Sequence, residues 1–142
     1  MRDQIQKGVE FLKEDVSKLL LRLGTGGMML PHGIAKLTAG LEFIRTSLTQ
    51  VGLPEFLAPA VFIGELVAPL GLILGFGTRI SGLILATNMV FTLFLAHRDS
   101  LFKLNEYGGW DIELNVFYLI CGLVLALIGG GRIAVKRSGL LS

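Results

Sequence analysis

APAVFIGELVAPLGLILGF, residues 58–76, decides the fold: nineteen residues, apolar throughout except for Glu65 near the middle. At 1.5 Å per residue such a stretch wound as a helix rises about 28 Å, close to the roughly 30 Å of a bilayer's hydrocarbon core. The rest of the 142-residue chain has the same character. It is 52% hydrophobic and only 17% charged, with a mean hydropathy of +0.68, outside the range of ordinary soluble domains. Its length accommodates about four spans and little else, so one membrane domain covering 1–142 is expected.

Three further apolar segments lie at about 19–37, 80–96 and 112–129, beside 57–76. Ahead of them, Ile5, Val9, Leu12, Val16 and Leu19 recur at helical spacing among Gln, Lys, Glu and Asp, which predicts an amphipathic helix over 1–18 lying at the membrane surface. The N-terminus lacks the short apolar core and small-residue cleavage site of a signal peptide and is expected to be mature sequence. The connections read as a polar loop around Arg45–Glu55, a tight GFGTR turn at 75–79 and a longer loop at 97–111. The fold class is therefore all-α: an integral membrane antiparallel four-helix bundle preceded by an interfacial helix. Small residues four apart, Gly71 and Gly75, Gly82 and Ala86, Gly122 and Ala126, suit helices that associate by close backbone approach.

Basic residues set the orientation, because Lys and Arg favour the cytoplasmic side. With both termini cytoplasmic, that side receives Arg2, Lys7, Lys13, Lys18, Arg22, Arg79, Arg132, Lys136 and Arg137, and the outer side Lys36, Arg45, Arg98 and Lys103. Tyr107 and Trp110 then fall at the outer interface, where amphipathic rings prefer to sit.

Charge of +2 with no basic block excludes a nucleic-acid partner. A single cysteine, Cys121, excludes an intrachain disulfide, a CxxC pair and a thiolate metal site. His32 and His97 fall at different depths, against a bis-histidine haem, and the carboxylates show no metal-ligand spacing, so no metal is expected. No nucleophile elbow occurs. GTGG at 24–27 and GGGR at 129–132 read as helix interior and helix end, not as phosphate cradles.

The ionisable residues inside the spans carry the functional argument, since each costs at least about 2.5 kcal/mol to bury in lipid. Arg22 and Arg132 lie near the ends of their spans and are expected to snorkel to the cytoplasmic headgroups; Arg79 is expected to cap the 75–79 turn. Glu65 lies about 12 Å deep, beyond reach of headgroups, and must face protein or water. Pro69, four residues on, cannot donate to the Glu65 carbonyl, leaving a free acceptor beside the carboxyl. A carboxyl removed from water keeps its charge only with a cation nearby. Pro31 frees the carbonyl of Gly27, and His32 and Lys36 share a helix face at matching depth. Asn88 falls near the bilayer middle, with His97, Glu113 and Asn115 toward the outer side. These groups predict a polar pocket in the outer half: Glu65 and His32 for proton transfer, Lys36, Asn88, His97, Glu113 and Asn115 as ligand contacts. A satisfied network that merely locks the helices together is the competing reading of the same residues.

RLG at 22–24, LPHGIAKL at 30–37, GLP at 52–54, Glu65 followed by Gly71 and Gly75, TR at 78–79 and GGGR at 129–132, in this order, resemble the DoxX family of small bacterial membrane proteins. The resemblance runs from about residue 19 to 132. It implies a four-helix bundle in the bacterial cytoplasmic (inner) membrane, with His32, Lys36, Glu65 and Arg79 at the family's polar positions. DoxD-like relatives form a subunit of thiosulfate:quinone oxidoreductase, and others belong to membrane redox complexes. A thiosulfate-oxidising domain has no counterpart in this sequence. The expected role is thus a quinone-associated redox subunit that draws electrons from a membrane partner protein, with no covalently bound cofactor. A non-catalytic scaffold that holds a partner, or a proton-coupled small-solute carrier that would need a homo-oligomer, are the alternatives.

Overall fold

The computed structural model describes residues 1–135 and is all-α, with no strand among the described residues. Lys136 and Arg137, counted for the topology, lie outside the described residues. Helix α1 runs unbroken from Arg2 to Ala39. This corrects the expected division into an interfacial helix over 1–18 and a span from 19: no proline or turn former separates the two halves, so the amphipathic stretch continues into the apolar one over about 57 Å. Pro31 lies within the helix without ending it.

Residues 42–50 are a second departure. Where a polar loop was expected, Glu42–Gln50 form helix α2. Phe43, Ile44, Ser47 and Leu48 lie along one side and Glu42, Arg45, Thr46 and Thr49 along the other, which is amphipathic helical spacing in a segment too short to stand out by hydropathy. Ser47 and Leu48 are buried.

Helix α3, Glu55–Leu74, changes its winding along its length. It is a 3-10 helix over Glu55–Ala60, a π turn over Ile63–Val67, and α-helical over Ala68–Leu74. Within the π turn the Ala68 amide donates to the Ile63 carbonyl, five residues back. The neighbouring Pro69 has no N–H with which to take up the α pattern at Glu65, and extra residues inserted into one turn re-aim the side chains there. Glycines 75 and 77, both at positive φ, reverse the chain into α4, Thr78–Ala96. A loop closed by a bridge between Leu104 and Trp110 leads to α5, Glu113–Ile128.

The four long helices contact one another in a ring, α1 with α3, α3 with α4, α4 with α5 and α5 with α1. Met29, Ala68, Leu72, Leu85, Met89, Tyr118 and Leu125 form the shared core. The small-residue pairing expected for α4 and α5 is present: a Cβ on Gly82 would fall 2.6 Å from the Gly122 carbonyl, and one on Gly122 2.7 Å from that of Gly82. Helices α3 and α4 are long and apolar enough to cross a membrane, yet only 33% and 28% of their most apolar windows is buried. Leu70, Leu74, Leu83, Val90 and Phe94 face outward. Helix α5 is shorter, and α1 combines its apolar half with a charged one.

The arginines converge on the end that carries the 75–77 and 129–131 turns. Arg22 does not snorkel: it is 1% exposed and donates from Nη2 to the Ile133 carbonyl at 2.6 Å. Arg79 donates to the Leu127 carbonyl at 2.8 Å, which satisfies a carbonyl left open at the end of α5. The Arg132 guanidinium lies 4.2 Å above the Phe11 ring, and its amide donates to Asp15. Residues 132 and 133, just after α5, therefore pack along α1.

Candidate functional site

At the opposite end of the helix ring a cavity of about 740 Å³ opens among α1, α3, α4 and α5 beneath α2. Six of the residues expected to meet there line it: His32, Lys36, Glu65, Asn88, His97 and Asn115. Glu113 does not. It is exposed at the first turn of α5, with its carboxylate beside Gly109 in the preceding loop, because it precedes Asn115 by two positions and so points about 200° away around the helix.

Glu65 is 2% exposed and forms an ion pair with Lys36, through Oε1. The side-chain exposures differ sharply, 3% for Glu65 and 32% for Lys36, so the pair joins a buried anion to a cation that reaches toward the surroundings. Its backbone explains the placement. The Glu65 carbonyl, relieved of an α bond by Pro69, lies directly against Gly33 of α1, where any Cβ would overlap it. Gly33 follows His32 and shares α1 with Lys36, so a single close approach brings the cation, the imidazole and the carboxyl together.

Asn88 is fixed similarly. Its side chain packs onto Gly64, which has no Cβ to exclude it. The outcome is a wall with two polar atoms left over: Glu65 Oε2, an acceptor, and Asn88 Nδ2, a donor, are both buried and have no hydrogen-bond partner among the described residues. Such groups cost roughly 1–3 kcal/mol each when unsatisfied, more for a charge, so both call for a partner from outside the chain, a water or a ligand.

Tyr118 was not singled out in the sequence. Buried on α5, it lines the cavity and meets the His32 ring edge to face at a centroid distance of 6.3 Å. Its spacing of three from Asn115 was the available signal, since the two share a helix face. Asn115 itself makes a 4.0 Å contact through Nδ2 with Met89 Sδ. Ser47 of α2 also lines the cavity, its hydroxyl donating to the Phe43 carbonyl. The remaining walls are mainly apolar, Met29, Leu48, Leu53, Ile84 and Leu114 among others, and the hydroxyls of Thr87 and Thr92 are spent on the Leu83 and Asn88 carbonyls. Among the described residues no three His, Cys, Asp or Glu side chains gather to hold a metal ion.

A large, mainly apolar cavity with a few convergent polar groups is the form of a small-molecule site. The polar groups here are a donor, an acceptor, two imidazoles and an ion pair, which together can bind carbonyl or hydroxyl oxygens and exchange protons with them.

The family model for DoxX matches residues 17–98, a stretch that includes His32, Lys36, Glu65, Asn88 and His97 but ends before Asn115 and Tyr118. The chain is similar to a Bacillus subtilis (strain 168) protein named "Putative oxidoreductase CatD", with 27% identity over 121 residues that make up 85% of each chain. No solved structure matches it.

Proposed function

Given that the chain belongs to the DoxX family, we propose that it is an integral membrane four-helix bundle that binds a membrane quinone as the quinone-associated subunit of an oxidoreductase. DoxX proteins are membrane-associated, and the outward-facing apolar surface of α3 and α4 requires a non-aqueous neighbour. Both termini lie on the cytoplasmic side of the bacterial inner membrane, the arginine-rich end inside and the cavity toward the outside.

The observation that carries the reading is the buried donor and acceptor left over beside the ion pair, Asn88 Nδ2 and Glu65 Oε2. A quinone oxygen accepts from Asn88, and the hydroxyl of a quinol donates to Glu65. Reduction adds two electrons and two protons to a quinone to give the quinol. The electrons come from a partner redox protein in the membrane. The protons pass through His32 and Glu65, groups that can hold and release them at the cavity wall, and Lys36 holds the Glu65 carboxyl in place through their ion pair. The relative named an oxidoreductase agrees in reaction class.

Quinone binding to the purified protein in nanodiscs, followed by redox titration, tests this. Glu65→Gln and Asn88→Leu should each weaken binding at least tenfold. Equal affinity in all three proteins would overturn the proposal.

A further inference from the structure

The cavity is not confined to the interior. Its lining includes Ile63, Leu83 and Phe91, which are 51%, 56% and 54% exposed on the outside of the molecule, together with the buried Glu65 and Met89. It therefore passes between α3 and α4, with Asn88 seated on Gly64 at the crossing. Those are the two helices long and apolar enough to cross a membrane, so the outer part of the cavity faces the apolar layer and not water.

The outer part has a consistent chemistry. Ala60, Ile63, Leu83 and Phe91 offer no polar group, and the one hydroxyl present, on Thr87, is already spent on the Leu83 carbonyl at 2.9 Å. A water-soluble ligand gains nothing there, whereas a hydrocarbon chain does. At the other end, α2 covers the cavity with Leu48, which is buried.

Resting on the quinone reading above, we infer that the ligand enters sideways from the bilayer between α3 and α4: an amphiphile whose head ring lies at Glu65 and Asn88 and whose apolar tail runs out past Ile63, Leu83 and Thr87. The tail supplies affinity through the outer groove, and the polar wall supplies recognition of the head. The volume of about 740 Å³ is in the range that holds a drug-sized ligand, larger than a single ring demands.

Two probes separate the parts: a benzoquinone without a tail and decylubiquinone, each titrated onto the full-length protein in nanodiscs and corrected for partition into empty nanodiscs. Wild type should bind decylubiquinone at least tenfold more tightly. Leu83→Trp and Thr87→Trp, both at exposed positions that the fold tolerates, should each weaken decylubiquinone at least fivefold and leave the tailless ring unchanged. Val90→Trp, outward on α4 but outside the groove, should alter neither. Equal affinity with and without the tail, or groove variants that bind decylubiquinone like wild type, would overturn lateral entry while leaving the head site intact. Binding of neither probe by wild type would overturn the quinone reading itself and this inference with it.

Discussion

Replacing Lys36 by Met removes the cation but leaves the carboxylate, and the consequence follows from how unequally the two are buried. Breaking a buried ion pair by deleting one partner costs about 3–5 kcal/mol, because the survivor is stranded. Glu65, at 3% side-chain exposure, has nowhere to go; Lys36, at 32%, can turn its ammonium toward water. Lys36→Met should therefore cost about 3 kcal/mol, at the low end because the pair is partly open, whereas Glu65→Gln should cost only about 1 kcal/mol, the scale of one ordinary hydrogen bond. The double variant, with neither charge, should lie within about 1 kcal/mol of wild type, giving a coupling of about 3 kcal/mol or more, well above the few tenths expected of independent sites. Reversible unfolding in mixed detergent micelles, followed by circular dichroism, measures all four corners of the cycle. Equal losses for the two single variants, or simple addition in the double, would refute the picture of a buried anion held by a half-exposed cation.

Gly33→Val should cost about 1–3 kcal/mol by overpacking, because its side chain would overlap the Glu65 carbonyl; it should also abolish quinone binding, since α1 can relieve the clash only by carrying His32 and Lys36 away from α3, and stability and binding assays on one preparation check both. Arg22→Met should change stability by less than about 1 kcal/mol, as the guanidinium keeps Nε and Nη1 unpartnered among the described residues and buried charges are readily replaced by apolar groups of similar volume, while loss of its bond to the Ile133 carbonyl should speed proteolysis after residue 128 severalfold, visible on a gel.

The cavity was legible because depth can be counted. Rise per residue alone placed His32 and Glu65 at similar depth, and the need for a cation beside Glu65 pointed to His32 or Lys36, of which the structure pairs Lys36 with it. Pro69 pointed to an irregular carbonyl, and the π turn occupies that position. Depth says nothing about azimuth, however, so Glu113 was grouped with residues from which its own helix turns it away. Tyr118 was missed for a related reason: an aromatic within an apolar run looks like core until a neighbouring helix brings a histidine to it. Helix α2 is short and moderately polar, and its folding depends on covering the cavity more than on its own propensity. Arg22 was misread because its reach to headgroups was considered without the 129–135 segment, which folds back to offer it a carbonyl. The join between amphipathic and apolar halves of α1 carried no stop signal, and hydropathy alone was mistaken for one.

The most direct test of the central claim is native mass spectrometry of the protein released from its own membranes in mild detergent. Wild type should retain one tailed quinone per chain, and Glu65→Gln should carry it in at most a tenth of the molecules. A wild-type spectrum without quinone, or the same occupancy in both proteins, would contradict the assignment of the cavity as a quinone site.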